Sequence, residues 1–134
     1  MMKKLGFIGA GNMAEALARG LVDNKIFKPS ELIASDIDPA RRRKFKGALR
    51  IEVTTDNRKV LDLSRAVLLA VKPQTIDAVL TEFARAAGAA RGSGRASKLF
   101  VSIAAGVTLD RLERALGGRA RVIRVMPNAP AMVG

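Results

Sequence analysis

The feature that most constrains this chain is a glycine-rich turn close to its first residue. An apolar run, Leu5–Ile8, leads directly into Gly9–Ala14, which reads G-A-G-N-M-A, and a helix-compatible stretch, Glu15–Val22, follows. In such a turn the first glycine permits a tight strand-to-helix connection and the second leaves the backbone open to a diphosphate. The small third residue lets helix and strand pack closely. The free N–H groups and the dipole at the start of the helix favour an anion. The order strand, glycine turn, helix therefore predicts a dinucleotide-binding unit rather than an ordinary turn.

Composition restricts the chemistry that the chain can perform. Its 134 residues suit one domain, and 49% of them are apolar, which predicts a folded core. The sequence has no histidine and no cysteine, so the usual general base, thiolate metal ligands and disulfides are all excluded. We therefore predict no metal site and name no catalytic residue. Any chemistry has to come from a cofactor, a lysine, a carboxylate or another chain.

Charge and hydropathy bear on partners and location. The 24 basic and 12 acidic residues give a net charge of +12, which attracts nucleic-acid phosphates. The charge is scattered, however, and there is no tyrosine or tryptophan to stack on bases, so we expect no specific nucleic-acid partner. The start Met1–Lys4 is similar to a secretory signal, but Gly9 and Gly11 interrupt the apolar run behind it. No segment is long enough for a membrane span, and we expect a cytoplasmic protein with no membrane partner.

Strand-like and helix-like segments alternate along the chain. The predicted strands are Leu5–Ile8, Glu31–Ala34, Ile51–Thr54, Ala66–Val71, Leu99–Ile103 and Arg121–Val125. The predicted helices are Met13–Val22, one that starts at Asp38-Pro39, Asn57–Leu63, Thr75–Ala87 and Thr108–Leu116, and Gly88–Arg95 is a loop by composition. This alternation predicts an α/β fold of the Rossmann type, a doubly wound parallel sheet of about six strands with helices on both faces. We expect residues 1–134 to form one dinucleotide-binding domain.

The end of the second predicted strand carries two opposing signals for the coenzyme. In dinucleotide folds an acidic residue about twenty positions beyond the glycine turn bonds the adenosine ribose. Asp36 fits that position, and its carboxylate would accept a 2′-hydroxyl, as in NAD(H), and repel a 2′-phosphate. The basic run Arg41–Lys44, with Arg41–Arg43 foremost, would instead pair with the 2′-phosphate of NADP(H). Asp36 could also be a plain turn residue, and Asp38 is the better helix cap.

Further candidates stand at the ends of the later strands, which border the ligand crevice in this architecture. Lys72 could reach a substrate or a cofactor phosphate, or it could be a solvated lysine, and Pro73 fixes the chain beside it. The small residues around Ala105 leave room for a flat ligand or for a close helix contact. Asn128, between two prolines, could offer its amide to a ligand or could mark the chain leaving the sheet.

Four separated motifs occur here in the order in which one known family carries them. They are G-F-I-G-A-G-N-M-A, A-V-K-P-Q, S-I-A-A-G-V and R-V-I-R-V-M-P-N-A-P, and the match runs from Leu5 to about Val133. In these motifs the chain resembles the N-terminal half of the pyrroline-5-carboxylate reductase family. The resemblance implies a Rossmann domain that binds NADPH or NADH. It also implies a small-molecule imine substrate, 1-pyrroline-5-carboxylate, whose C=N bond accepts a hydride to give proline.

The resemblance also implies a role for individual residues. Ile8–Met13 would hold the pyrophosphate, Asp36 would stand near the adenosine ribose and Asn57 near the adenosine portion. Ala70–Pro73 and Ala105 would lie along the cofactor toward the nicotinamide. The predicted cofactor-binding set is Ile8, Gly9, Ala10, Gly11, Asn12, Met13, Asp36, Asn57, Ala70, Val71, Lys72, Pro73 and Ala105. Lys72 and Asn128 are the predicted substrate contacts.

The chain departs from that family in three respects. Asp36 stands where many members have a neutral residue, and the loop after Ala87 is longer than usual. Members also continue for about as many residues again, through what resembles a helical bundle that dimerises and binds the imine. We expect that domain to be absent from this chain, which would then be inactive alone, whereas the full-length family forms homo-oligomers.

Two other functions stay open. One is a neighbouring Rossmann dehydrogenase of the hydroxyacid or prephenate type, against which the A-V-K-P-Q and M-P-N segments speak. The other is a non-catalytic module that senses a dinucleotide, which suits the short chain and its lack of acid–base residues.

Overall fold

A computed structural model of the chain describes residues 2–89, 98–116 and 121–125. Its strands are β1 (Lys3–Ile8), β2 (Leu32–Ser35), β3 (Glu52–Thr54), β4 (Ser64–Leu69), β5 (Leu99–Ser102) and β6 (Arg121–Arg124). Its helices are α1 (Asn12–Asp23), α2 (Pro39–Leu49), α3 (Asn57–Leu63), α4 (Pro73–Ala89) and α5 (Leu109–Ala115), with a 3-10 turn over Pro29–Glu31. The six strands are parallel and lie in the order β3-β2-β1-β4-β5-β6. This confirms the predicted Rossmann-type sheet, whose strand order reverses between β1 and β4.

The sheet separates two apolar cores, as expected for helices on both faces. One core joins α1 and α2 to the sheet, and there the ring of Phe7 meets that of Phe45 edge-on with centroids 6.0 Å apart. The other core joins α3, α4 and α5 to the opposite face, where Phe83 lies 6.1 Å from Phe100. Neighbouring residues of β1 serve different cores, since Phe7 belongs to the first and Ile8 to the second. The central strands of a doubly wound sheet are buried in this way on both sides.

The buried face of α1 differs from the one that its large apolar residues suggest. Helical spacing predicts one shared face for Met13, Leu17, Gly20 and Leu21, but Leu17 is 38% exposed. The fully buried residues are instead Ala14 and Ala18, at 1% and 0% exposure. Small side chains let the helix lie close to the sheet, which is the role foreseen for the third position of the glycine turn.

Two predicted boundaries shift in ways that affect the site. The strand predicted at Ala66–Val71 ends as β4 at Leu69, so Ala70 and Val71 join Lys72 in the connection to α4. That helix begins at Pro73 instead of at residue 75, because proline suits the first position of a helix. The helix continues through Ala89, so the first two residues of the predicted loop are helical, and residues 90–95 of that loop lie outside the described residues.

The start of β2 also moves by one residue. Glu31 was predicted as its first residue, but it ends the 3-10 turn and β2 begins at Leu32. The reason is local, since the Glu31 carboxylate accepts a hydrogen bond of 2.8 Å from the backbone N–H of Lys28 and holds the turn closed.

Candidate coenzyme-binding site

Gly9 joins the ends of three strands at the point where the strand order reverses. Its φ of +100° lies in the region that side chains disfavour. A β-carbon there would lie only 2.8 Å from the carbonyl oxygen of Ala70 and 3.1 Å from the nitrogen of Val71. The backbone continues the sheet on both sides, because Gly9 N–H donates to Ser35 at 2.9 Å and Ala70 N–H donates to Ile8 at 2.8 Å. The fold itself therefore requires glycine at this position.

Gly11 differs from Gly9 in both respects. Its φ of −78° is open to any residue, and a β-carbon placed on it would meet no atom within 4 Å. Neither the backbone conformation nor the packing of the described residues explains a glycine here. The open space above Gly11 is what a diphosphate needs in order to reach the backbone of a G-x-G turn.

The start of α1 is open to an anion. Asp38, Asp56 and Thr108 cap α2, α3 and α5 by accepting backbone N–H hydrogen bonds of 2.9, 2.9 and 3.2 Å. Gly11 is the residue before α1, and no side chain caps that helix. The N–H groups of its first turn and the positive end of its dipole are therefore available to a ligand. The cap predicted at Asp38 is present.

Asp36 fastens the glycine turn to the loop after β2. Its two carboxylate oxygens accept hydrogen bonds of 2.9 Å each, one from the backbone N–H of Ala10 and one from that of Asp38. The residue is half-buried. The turn role that the sequence allowed for Asp36 is thus present, and the same carboxylate also positions the backbone of the predicted pyrophosphate-binding segment.

Asn57 lies beside Ser35 at the carboxyl end of β2, and the role near the adenosine portion that the resemblance implies for it stays a prediction. It is the first residue of α3, and its Oδ1 accepts a hydrogen bond of 2.7 Å from the hydroxyl of Ser35, a fully buried residue. The side-chain nitrogen of Asn57 has no partner among the described residues. Sequence reasoning missed Ser35 as a supporting residue, although a small polar residue at a strand end was the available signal.

The residues of the basic run after β2 make different contacts. The Arg41 guanidinium donates a hydrogen bond of 2.6 Å to Oδ1 of Asn12, at the start of α1. The Arg42 guanidinium donates one of 2.8 Å to the carbonyl oxygen of Asp36. The sequence predicts a phosphate partner for the basic run as one group, whereas in the structure only Arg41 contacts the glycine turn.

The last member of the run, Lys44, pairs with Glu15. The Glu15 carboxylate lies 3.1 Å from Arg19 and 3.3 Å from Lys44. Partial burial alone would raise the pKa of Glu15, but the hydrogen bonds and charges of these two cations outweigh it and lower the pKa from its ordinary 4.5. Lys44 is therefore occupied within the described structure.

The remaining predicted residues lie along the same edge of the sheet. Lys72 is exposed between β4 and α4, and its side chain has no partner within residues 2–89, 98–116 and 121–125. Ala105 is exposed after β5, beside Gly106 with a φ of +74°. Ile8 ends β1 and Met13 is half-buried in the first turn of α1. Asn128 lies outside the described residues, so its predicted contact with a substrate stays a prediction.

Two features are absent from the described part of the chain. No helix in it is long and apolar enough to cross a membrane. No group of three or more acidic, histidine or cysteine side chains in that part could hold a metal ion.

Comparison with known proteins gives the class of the chain and then its nearer relatives. The chain belongs to the family described as "NADP oxidoreductase coenzyme F420-dependent", whose model matches residues 4–106. Among curated proteins it is similar to the pyrroline-5-carboxylate reductase of Synechocystis sp., with 40% identity over 134 residues, which are 100% of this chain and 47% of that protein. The resemblance drawn from the four motifs is confirmed. The chain spans about half the length of the curated relatives it matches.

Solved structures agree with this assignment. A pyrroline-5-carboxylate reductase from Coxiella burnetii superimposes with a TM-score of 0.86 at 32% identity, over 99% of this chain and 47% of that one. A pyrroline carboxylate reductase from Plasmodium falciparum with NADP bound gives a TM-score of 0.75 at 27% identity, over 99% of this chain and 46% of that one.

Proposed function

We propose that this chain holds NAD(P)H for the reduction of 1-pyrroline-5-carboxylate to proline, as the coenzyme-binding part of an oxidoreductase. The observation that carries the proposal is Gly11, a glycine that neither its own φ nor its neighbours require. It precedes a helix whose first turn has no side-chain cap. The names of the relatives, and the NADP bound to the Plasmodium falciparum enzyme, support the reaction and the coenzyme.

In this proposal, residues along the carboxyl edge of the sheet bind successive parts of the coenzyme. The backbone N–H groups at Gly11–Met13 bind the diphosphate, and Asp36 orients that backbone through Ala10. Asn57, held by Ser35, binds the adenosine portion. Ala70–Pro73 and Ala105, at the ends of β4 and β5, line the path toward the nicotinamide. These assignments follow from the positions of the residues along one sheet edge, where ligands bind in this architecture.

The bound coenzyme supplies the hydride for the imine carbon, and the protein has to orient the two reactants and exclude water. The imine nitrogen also needs a proton, and its carboxylate needs cationic or N–H donors. Lys72, exposed just after β4, offers a cationic donor that has no partner within the described residues. We propose that the other substrate-binding groups come from a helical domain of the kind that the resemblance implies for the full-length family, and that the protein dimerises through it.

Two further expectations belong to this proposal. We expect residues 1–134 to form one coenzyme-binding domain, and we expect the protein to be cytoplasmic. Partial proteolysis tests the first, because a single domain resists cleavage within its elements. Fractionation of cells tests the second.

The test of the proposed function is coenzyme binding by Gly11→Ala. A methyl group there enters the space proposed for the diphosphate, and overpacking of about 1–3 kcal/mol corresponds to a Kd about 5- to 150-fold weaker. Gly20→Ala is the matched control, because Gly20 lies in α1 and its β-carbon would also meet nothing within 4 Å. Titration of NADPH and NADH, followed by coenzyme fluorescence, should show a loss for Gly11→Ala only. Equal affinity in both variants and the wild type would contradict the proposed site.

The same samples test turnover. We expect the wild-type chain to bind coenzyme but not to oxidise NADPH when 1-pyrroline-5-carboxylate is added. Reduction of the imine by this polypeptide alone would contradict the proposal that the substrate-binding groups lie elsewhere.

A further inference from the structure

The two faces of the sheet carry different numbers of helices. Among the described residues, α3, α4 and α5 pack on one face, whereas α1 and α2 pack on the other. Six strands spaced about 4.8 Å apart make a sheet roughly 29 Å wide, and each packed helix takes up about 10 Å of that width. Three helices therefore fill one face, and the face of α1 and α2 has room for one helix more.

The uncovered part of that face lies over β5 and β6. Leu68 of β4 is still buried in the core of α1 and α2, at 7% exposure, so the described helices cover the sheet as far as β4. On β5, Val101 borders the same core and is half-buried. Its register partner on β6, Ile123, is 50% exposed, and Val125 after it is 43% exposed. Exposure on this face therefore rises from β4 to the edge strand.

One side of α1 continues this apolar surface. Ala14 and Ala18 are buried toward the sheet, and the Glu15 carboxylate contacts Lys44 of α2. Residues two apart on a helix point about 200° apart around its axis, so Leu17 points away from α2 and toward β5. Its 38% exposure agrees with that direction. We call the resulting apolar patch the open surface, and its members are Leu17, Val101, Ile103, Ile123 and Val125.

The occupant that fits the open surface is one amphipathic helix. Two strands are about 10 Å wide, which is close to the diameter of a helix, and a helix laid on them would lie beside α1 at the ordinary distance of about 8–10 Å. Gly20 is on the same side of α1 as Leu17. A β-carbon on Gly20 would meet no atom within 4 Å, so a second helix can approach closely there. A strand added to the edge of β6 would instead leave Leu17 exposed.

The length of the relatives indicates where such a helix comes from. They are about twice as long as this chain, so they carry further polypeptide. Val125 follows the last described strand and belongs to the open surface, so polypeptide that continues from β6 reaches this surface without crossing the sheet. A second copy of the chain is less suited to it. Five partly exposed side chains offer much less than the roughly 800 Å² per partner of a stable dimer, whereas an attached helix benefits from its high effective concentration.

We infer that, in a longer protein of this family, an amphipathic helix from the polypeptide beyond β6 lies beside α1 and covers β5 and β6. It is the third helix of this face. The inference goes beyond the proposed function, because it identifies the surface of this chain on which further polypeptide docks and does not depend on coenzyme binding.

The absence of cysteine from the chain makes a direct test possible. Ile123→Cys, Leu17→Cys and Leu109→Cys each introduce a single thiol, whose rate of reaction with a maleimide measures its accessibility. Leu109 is the matched control, because it is 41% exposed and belongs to α5, on the other face of the sheet. Each variant is made in the 134-residue chain and in a joined protein. In the joined protein the remaining half of the Synechocystis sp. reductase follows residue 134, with any cysteine in it replaced by serine.

In the 134-residue chain we expect the three thiols to react at similar rates. In the joined protein Ile123→Cys and Leu17→Cys should react at least about 10-fold more slowly, because the reagent then needs local opening of the covering helix, and Leu109→Cys should change by less than about threefold. Thermal unfolding of each variant checks that the fold is retained.

Three results would overturn the inference. An unchanged rate for Ile123→Cys in the joined protein would mean that nothing covers the open surface. Protection of Ile123→Cys without protection of Leu17→Cys would mean that a strand is added to β6 in place of a helix. Slow labelling of Ile123→Cys in the shorter chain, relieved by dilution, would identify a second copy as the occupant. Titration of the same samples with NADPH is a separate measurement, since a loss of binding would contradict the proposed function and leave the labelling result unaffected.

Discussion

Replacement of Gly9 by alanine should destabilise the fold, and the structure gives the size of the effect from two sources. The backbone φ of +100° costs an alanine about 1–3 kcal/mol, as for other residues held in disfavoured regions. The added methyl group would also lie 2.8 Å from the carbonyl oxygen of Ala70. That atom belongs to the backbone that follows β4, so it cannot move away as a side chain would, and overpacking adds about 1–3 kcal/mol. The expected loss is about 2–6 kcal/mol, a large part of the 5–15 kcal/mol typical of a domain.

Urea denaturation followed by circular dichroism measures this loss, with Gly11→Ala as the internal comparison. Gly11 has an ordinary φ and open space, so its free energy of unfolding should change by no more than about 1 kcal/mol, and alanine there could even stabilise the chain. A Gly9→Ala variant as stable as the wild type would refute the reasoning. It would mean that the contact between the glycine turn and the connection after β4 does not constrain the fold.

Two further predictions concern the residues around the site. Ser35→Ala removes the hydrogen bond that holds Asn57. It should lower the free energy of unfolding by about 1 kcal/mol and weaken the binding of both coenzymes equally. A change in the ratio of NADPH to NADH affinity would contradict a purely supporting role. The lowered pKa of Glu15 makes the stability of the fold depend on pH. The contribution of Glu15 to the free energy of unfolding is fully present above pH 4.5 and is lost as the pH falls through the lowered pKa. Glu15→Gln should flatten the curve of unfolding free energy in that acidic range, and an unchanged slope there would show that its two ion pairs contribute nothing.

Much of the fold could be predicted from the sequence because each signal was local. The alternation of strand-like and helix-like segments identified six strands and five helices, and the chain order with short connections implied parallel pairing. The cap at Asp38 and the proline after it began α2 where expected. Boundaries were wrong where an apolar run continued beyond the end of a strand, as at Ala70 and Val71, whereas the pairing of β4 with its neighbours ends at Leu69.

The contacts that define the site could not be predicted in the same way. Ala10 and Asp36 are 26 residues apart, and Asn12 and Arg41 are 29 apart. Their contacts depend on β1 and β2 being neighbours and on the register of the two loops that follow them. The sequence could name the charges of Asp36 and the basic run, and it could not tell which of them faces the ligand. For this reason the sequence predicted two opposing coenzyme preferences, NAD(H) from Asp36 and NADP(H) from the basic run.

The two glycines of the turn, which a motif treats as one signal, have separable physical reasons. Gly9 is enclosed by the chain itself, because the ends of β1 and β4 meet there and leave no room for a side chain. At Gly11 the described residues leave free the space that a side chain would take. One short segment carries both features, since its backbone packs against the connection after β4 at Gly9 and reaches the uncapped start of α1 two residues later. A stability defect in Gly9→Ala and a binding defect in Gly11→Ala are therefore two consequences of one geometry, and finding either defect in the wrong variant would show that the turn is built differently.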